Sequence, residues 1–521
     1  AIISHPDAGK TTLTEKLLLY AGAIEQAGAV RARKSQRLAV SDWMAMERER
    51  GISITSTALQ FESDGYLFNL LDTPGHQDFS EDTYRTLMAV DSAIMVLDGA
   101  KGIEAQTRKL FEVCRRQKLP ILTFVNKLDQ PGRDPLEILD EIERTLHIRA
   151  VPMNWPIGDG PDFQGVFDLR SRQVLSFERT AHGQYRAPKA ALAVDDPRLA
   201  GLVSRRAYAR LQEDIELLTA VGAEFDGQAF QAGELTPMYF GSAINNFGVE
   251  PFLQALKELA PAPRPRPSDR GLVQPTDERF TGLVFKIQAN MDPKHRDSMA
   301  FLRICSGQFS KDMTVYHPRL ARKVRMSRPH RLFARERETV EAAYPGDVIG
   351  LSNPGIFGIG DTVTAGEALQ FAPIPSFAPE HFGRLINGDV GKYKQFNKGL
   401  AQLAEEAVAQ VLYPQGAARR EPILAVVGEL QFDVVVARLA AEYGVEARVE
   451  PLPYACARWV TGSEEAIAAA GWPTQALRTL DRAGQLAVLF TSVWEMQRCV
   501  ESNPRLAFHE TATDEKVGSR K

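Results

Sequence analysis

The stretch Ser4-His5-Pro6-Asp7-Ala8-Gly9-Lys10-Thr11-Thr12 decides the fold. Ala1-Ile2-Ile3 before it reads as the tail of an apolar strand. Leu13, Leu17 and Leu18 after it recur at helical spacing. The order is strand, loop, helix, with Gly9-Lys10-Thr11 at the turn into the helix. Such a loop suits a phosphate chain, because successive backbone N–H groups point inward and the helix N-terminus adds partial positive charge. Lys10 then reaches the β- and γ-phosphates, and the Thr11 hydroxyl binds Mg2+. The pattern G-x-x-x-x-G-K-[ST] is met except at its first position, where Ser4 stands for Gly. One imperfect loop is also what an ordinary helix-capping turn looks like. The partners downstream decide between the two readings.

A chain of 521 residues has room for about three or four domains. Hydrophobic residues make up 44% and charged residues 25%, an ordinary globular mix. No apolar run reaches the length of a membrane-spanning helix, about eighteen residues or more, and the N-terminus has no signal-peptide layout. The chain starts inside a strand and without Met, so a short leading segment is expected to be missing. Cys114, Cys305, Cys456 and Cys499 are far apart and form no C-x-x-C. Disulfides and a zinc knuckle are not expected, which suits a reducing cytosol and a cytoplasmic location. With a net charge of −4, any nucleic-acid contact must come from local basic patches.

Residues 25–56 are charged, weakly periodic and end in Arg50-Gly51-Ile52-Ser53-Ile54-Thr55, which reads as a long loop. In a nucleotide switch such a loop gives Mg2+ a hydroxyl, here from Ser53 or Thr55. Thr57 to Phe61 and Tyr66 to Leu71 flank Asp64-Gly65, a hairpin signal. The second strand ends in Asp72-Thr73-Pro74-Gly75-His76. Asp72 is thereby aimed into the ligand crevice of an open α/β sheet, where it can hold Mg2+ through water. Gly75 lets its N–H approach the γ-phosphate with no Cβ in the way. His76 can orient the attacking water. Lys10, Gly75 and His76 are the candidate catalytic set. Asp78 to Met88 reads as a helix with Asp78 available as its cap.

Strand and helix signals then alternate: Ser92 to Asp98, Glu104 to Gln117, Pro120 to Val125. This implies a mostly parallel sheet with helices on both faces. The last strand delivers Asn126-Lys127-Leu128-Asp129. Asp129 is an acceptor-only carboxylate, matched to guanine N1–H and its 2-amino group. Adenine lacks both donors, and a buried carboxylate left unpaired discriminates by roughly 10⁴-fold or more. Asn126 can tie this loop to the phosphate loop, and the Lys127 stem can lie against the base. Pro237 to Phe240 runs into Gly241-Ser242-Ala243, where Ser242 and Ala243 offer a backbone N–H for the guanine carbonyl.

Residues 150–232 interrupt the alternation and read as an inserted subdomain, with a strand at Gly165 to Leu169 and a helix near Leu202 to Val221. A helix near Val249 to Ala260 leads to Pro261-Ala262-Pro263-Arg264-Pro265-Arg266-Pro267, a stiff linker. Short strands broken by Gly and Pro over 280–370 suggest a β-barrel. Arg319, Arg322, Lys323, Arg325, Arg328, Arg331, Arg335 and Arg337 cluster in it, enough for a phosphate-backbone contact. After Phe371 to Pro375, helices near Lys392 to Val411 and Gln431 to Tyr443 mix with strands Ile423 to Val427 and Val445 to Val449. These suggest one or two α+β sandwiches, ferredoxin-like. The expected domains are 1–262, GTP-binding; 272–372, β-barrel; and 376–521, α+β.

With these motifs in this order, the chain resembles the translational GTPases, and within them the class II release factors. Supporting stretches are Ser41 to Met44, Pro152 to Gly158, Asn353 to Asp361 and Leu430 to Val434. The resemblance implies a P-loop GTPase domain with an insert, a β-barrel and a C-terminal α+β region. It implies GTP hydrolysis on the ribosome after peptide release, promoting departure of class I release factors. It implies GTP, GDP and ppGpp as ligands, Mg2+ as cofactor, the small subunit and the large-subunit sarcin–ricin loop as partners, and no membrane. It assigns nucleotide contacts to Ser4 through Thr12, Asp72 through His76, Asn126, Lys127, Asp129, Ser242 and Ala243. It assigns Mg2+ contacts to Thr11, Ser53 and, through water, Asp72. By the same resemblance Pro6 and Ile52 gate His76. No arginine finger is identifiable, so slow intrinsic turnover is expected. The alternatives are an elongation-factor-G-like GTPase, the GTPase subunit of sulfate adenylyltransferase, which lacks the insert, and a module that binds nucleotide structurally.

Overall fold

A computed structural model describes residues 1–24, 47, 53–177, 185–186, 189–194, 196–199, 203–222, 224–289, 298–333, 336–416 and 421–512. Ser41 to Met44, Arg50-Gly51-Ile52 and Arg335 lie outside the described residues, as do the side chains of Arg331 and Arg337.

Strand β1 (Ile2–Ser4) runs straight into the phosphate-loop sequence and helix α1 (Lys10–Ala21). Strands β2 (Thr57–Ser63) and β3 (Tyr66–Asp72) form the antiparallel hairpin, turned by Asp64 and Gly65, both at positive φ. β3 pairs parallel with β1, and β1 pairs parallel with β4 (Ala93–Asp98). Next come β5 (Ile121–Asn126), Leu235–Phe240 and Arg149–Pro152, each parallel to its neighbour. Every residue of β4 and β5 is buried. Their unbroken apolar character follows from helices on both faces. One face packs Leu13, Leu17 and Leu18 of α1 against Phe252 and Leu253 of the helix Val249–Leu259. The other packs α3 (Ala105–Arg116) and α4 (Pro135–Leu146) through Phe111, Ile138 and Ile142; α2 (Ser80–Leu87) precedes them in the chain. All the parallel strands therefore end at one edge, where a ligand crevice forms.

The insert contains a four-stranded antiparallel sheet of Asn154–Ile157, Gly165–Asp168, Gln173–Phe177 and Lys189–Ala193. Its helix, Arg205–Val221, is capped by Ser204, whose Oγ accepts from Ala207 N–H. Asn154 fastens the insert to the main sheet: its side chain donates to Phe240 O and accepts from Phe240 N–H.

The second domain is antiparallel throughout, centred on Thr281–Ala289 and Ser298–Ser306. Its strand Pro329–Phe333 pairs with β2 at Phe333 and Leu59, so one sheet runs on into the first domain. The proline-rich linker is not a free spacer. Arg264 N–H donates to Asp91 Oδ1, and Arg266 donates to Met88 O. The stretch Asn353 to Asp361 folds on its own side chains. Asn353 Oδ1 accepts from Gly355, Ile356 and Phe357 N–H, and Asp361 accepts from Gly358 N–H.

In the third domain His381–Asn387, Tyr393–Glu405, Gln410–Pro414, Ile423–Val426, Leu430–Tyr443 and Ala447–Pro451 follow the β-α-β-β-α-β order of a ferredoxin-like unit. The helix expected through Val411 stops at Glu405, because Gln410–Pro414 pairs as a strand with Ile423–Val426. That strand also pairs with Leu477–Leu480. The two α+β halves thus share one eight-stranded sheet.

Candidate functional site

The loop between β1 and α1 turns through two left-handed residues, Asp7 at φ 65° and Gly9 at φ 92°. Gly9 occupies the N-cap position of α1, and the first turn carries no acidic side chain. Its backbone N–H groups and the positive end of the helix dipole therefore remain for an anion. Gly9 is required here. A Cβ on it would stand 2.2 Å from Asn126 Nδ2. Ser4 Oγ turns back to donate to His5 O. The His5 ring is buried against α3, with Nδ1 3.4 Å from Thr107 Oγ1. Burial pushes its pKa down. His5 therefore offers the loop its backbone, and its ring anchors the loop from behind.

Lys10 and Asp72 meet across the crevice, Lys10 Nζ donating to Asp72 Oδ1 at 2.6 Å. Asp72 Oδ2 is buried and has no hydrogen-bond partner among the described residues. Thr73 is fully buried and donates to Ile2 O, which ties the end of β3 to β1. Pro74 follows, its carbonyl accepting from Thr83 Oγ1 at 3.2 Å. A Cβ on Gly75 would lie 3.5 Å from Pro6 Cα, so the loop after β3 lies directly over the phosphate loop. His76 Nδ1 lies 3.3 Å from Asp78 N and 3.1 Å from Asp78 Oδ1, so it accepts from the N–H when bare and donates to the carboxylate when it carries the ring proton. Asp78 is not the cap of α2. A short 3-10 turn, Gln77–Phe79, comes first, and His76 caps that turn. The Asp78 carboxylate faces the third domain instead, accepting from Leu430 N–H.

Thr11 and Thr12 sit half-buried on the first turn of α1. Of the switch-loop hydroxyls, Thr55 Oγ1 is buried with no partner among the described residues, whereas Ser53 has one. Ile54 N–H and Thr55 N–H both donate to Glu47 Oε1.

Asn126 binds the two halves of the site together. Its Nδ2 donates to Ala8 O in the phosphate loop at 2.9 Å, and its Oδ1 accepts from Ala243 N–H at 2.8 Å. Ser242 Oγ donates to Asp129 Oδ1 at 2.6 Å, so the loops expected to read the base also touch. Lys127 is left-handed at φ 68°, and its ammonium lies 2.8 Å from Asp98 Oδ2 at the end of β4. Burial acts to raise the Asp98 pKa, but the Lys127 ammonium and the Ala100 N–H outweigh it, and the carboxyl stays below its usual range.

Three family models match the chain. The elongation factor Tu GTP-binding domain matches residues 1–262, elongation factor G domain 2 matches 279–366, and the C-terminal domain of class II release factor RF3 matches 371–500. Peptide chain release factor 3 of Gloeobacter violaceus is 57% identical over 513 residues, 98% of this chain and 97% of that protein. The chain belongs to the release factor 3 family. The same factor of Microcystis aeruginosa is 55% identical over 512 residues, covering 98% and 94% of the two chains. That of Synechocystis is 56% identical over 499 residues, covering 96% and 91%. A crystal structure from Thermus thermophilus shares the fold, with a TM-score of 0.69 at 23% identity over 89% of this chain and 70% of that one.

The protein is therefore a translational GTPase acting in termination, built from a P-loop GTPase domain, a β-barrel domain and an α+β region. No helix among the described residues is long and apolar enough to cross a membrane. Nothing favours the elongation-factor or sulfate-assimilation alternatives. Several residues that shape the site were missed in the sequence. Asp98 carries no motif, only a strand-end position, and Asn154 lies in the quoted stretch Pro152 to Gly158, whose sequence does not show what its side chain binds. Lys286 and Arg85 were invisible because their partners lie in other domains: Lys286 donates to Ser56 O, and Arg85 donates to Ala407 O. Arg319 stays exposed, but its charge is paired with the buried Asp361. Arg322, Lys323, Arg325 and Arg328 are exposed.

Proposed function

We propose that this protein hydrolyses GTP in a Mg2+-dependent reaction that the ribosome stimulates, and that hydrolysis promotes departure of class I release factors after peptide release. The single observation that carries this reading is the pair of hydrogen bonds at Asn126, one donated to Ala8 O and one accepted from Ala243 N–H. It ties a phosphate cradle and a guanine-selective carboxylate, Asp129, to one sheet edge. Ser4 through Thr12 line the phosphates, Lys10 neutralises the β- and γ-phosphates, and Asp72, Thr73, Pro74 and Gly75 close the γ-phosphate end. Asn126, Lys127, Asp129, Ser242 and Ala243 hold the base. Water attacks the γ-phosphorus in line, the bond to the β-phosphate oxygen breaks, and GDP leaves with the electron pair. His76 aligns the water, and the backbone N–H groups and Lys10 stabilise the developing charge.

The residues present fit Mg2+. Asp72 Oδ2 is buried without a partner among the described residues, and Thr11 stands at the helix start beside the same crevice. A Mg2+ ion here needs only one carboxylate through water and one or two hydroxyls, with phosphate oxygens and waters completing its shell. When bound, Mg2+ offsets charge on the phosphates. Ser53 or Thr55 supplies the second hydroxyl. The partners in this reading are the small ribosomal subunit, the sarcin–ricin loop beside His76, and class I release factors. GTP, GDP and ppGpp share the pocket, and the protein works in the cytoplasm. The exposed Arg322, Lys323, Arg325 and Arg328 offer the β-barrel domain a phosphate-backbone contact.

Phosphate release with and without ribosomes tests this. His76→Ala should abolish the ribosome-stimulated rate while GTP binding survives. Full turnover in that variant would remove His76 from the mechanism. A protein whose turnover ribosomes leave unchanged would instead be a module that binds nucleotide structurally.

A further inference from the structure

Asp78 touches His76 twice, through its carboxylate and through its backbone N–H. Its second carboxylate oxygen leaves the GTPase domain. Oδ2 accepts from Leu430 N–H at 2.8 Å, at the start of the helix Leu430–Tyr443 in the third domain. The first N–H groups of a helix have no partner within it, and negative charge is favoured there. The helix's own N-cap residue, Glu429, makes no capping bond with its side chain. Asp78 provides that cap from another domain. Gly428 makes the approach possible: a Cβ there would stand 2.2 Å from Asp78 Cγ. Asp78 is only 8% exposed.

The same seam holds the other switch segment. Ile54, between the two candidate Mg2+ hydroxyls, packs with Phe79 and Val434 in one buried cluster, and Leu430 and Val408 lean on it. Ser56 N–H and Oγ donate to Asp82 Oδ2. Lys286 of the second domain donates to Ser56 O. Both segments that flank the γ-phosphate position are thus seated on the third domain.

We propose that Asp78 is a positioning residue that couples docking of the third domain to the orientation of His76. The proposal rests on the reading of His76 as the group that aligns the water. Leu430 N–H holds Oδ2 and fixes the carboxylate. In the tautomer whose Nδ1 carries the proton, Nδ1 donates to Oδ1 instead of accepting from the Asp78 N–H, which holds the ring and leaves Nε2 as an acceptor for the water. A shift of the third domain withdraws Leu430 and releases the ring. Coupling of this kind is reciprocal at equilibrium: nucleotide states that reposition His76 change the affinity of the third domain for its seat.

The test uses the full chain with Asp78→Ala, Gly428→Ala, the double variant, and His76→Ala. Phosphate release on ribosomes, GDP binding and thermal unfolding are measured for each. Both single variants should lower the ribosome-stimulated kcat by about tenfold to a hundredfold. GDP affinity and the KM for ribosomes should stay near those of the parent, and the unfolding midpoint should fall by no more than the loss of one helix cap explains, a few degrees or so, and stay well above the assay temperature. The double variant should be no slower than the worse single one, because both changes cut one connection. Unchanged kcat in the single variants, or losses that multiply in the double variant, overturns the coupling. So does a loss that follows weakened GDP binding or unfolding at the assay temperature. If His76→Ala abolishes turnover while Asp78→Ala and Gly428→Ala leave it intact, only the coupling has failed. If His76→Ala keeps full turnover, the reading of His76 itself has failed.

Discussion

Lys10 Nζ donates to Asp72 Oδ1 at 2.6 Å, and the two side chains are 6% and 2% exposed. The pair joins the start of α1 to the end of β3 across the crevice. Removing one partner leaves the other charge buried and uncompensated. Asp72→Ala is predicted to destabilise the nucleotide-free protein by about 3–5 kcal/mol. Asp72→Asn keeps an acceptor for Lys10 and should lose less. Denaturant unfolding of both variants without nucleotide checks this, and an Asp72→Asn protein as stable as the parent would refute the role of the charge.

Gly9 and Asn126 form one fitted joint. An alanine at Gly9 meets a left-handed φ of 92° and the Asn126 amide at 2.2 Å. The backbone penalty alone is about 1–2 kcal/mol. Displacing Asn126 also breaks its bonds to Ala8 O and Ala243 N–H. Gly9→Ala is therefore predicted to weaken GDP binding by at least about tenfold. Asn126→Ala should weaken it comparably, through loss of both bonds without the clash. Titration with a fluorescent GDP derivative reads both.

Asp129 accepts from Ser242 Oγ, which fixes one of its carboxylate oxygens, and in the proposed function that carboxylate reads guanine. Asp129→Asn replaces an acceptor with a donor. Guanine presents an amino donor at C2, whereas xanthine presents an oxo acceptor. The variant is predicted to lose GDP and gain xanthosine diphosphate, with the preference reversed by roughly 10²-fold or more. Competition between the two nucleotides measures it. Retained guanine preference would place base recognition elsewhere.

Asp361 gives a pH prediction. Burial alone would raise its pKa, but Arg319, His317 and Gly358 N–H together hold it below the ordinary 3.8. A carboxyl whose folded pKa is depressed stabilises the fold above its unfolded pKa. That contribution is lost as pH falls through the depressed folded value. Asp361→Asn is predicted to lower stability by about 1.5–3 kcal/mol at neutral pH. The gap to the parent protein should close below pH 3.8. Unfolding midpoints measured from neutral to acid pH decide it, and a gap constant across that range would refute it.

The sequence alone determined the GTPase domain. A phosphate loop, a carboxylate and histidine after a strand, and an Asn-Lys-Leu-Asp turn each carry their chemistry within a few residues. Apolar runs of strand length place them all at one sheet edge. The hairpin at Asp64-Gly65 and the ends of β4 and β5 were legible for the same reason: local backbone preference and burial agree there. What the tertiary structure decided is everything that spans domains. Asp78 looked like a helix cap in its own segment, and it caps a helix 352 positions later. The proline-rich segment reads as a stiff linker, and its sequence does not show that it is bound at Arg264 and Arg266. Arg319 looked like one more surface cation and is spent on Asp361. In each case a charged or polar group chose among partners far away in the chain. Local sequence specifies which bonds such a residue can make, but only packing decides which partner comes within reach.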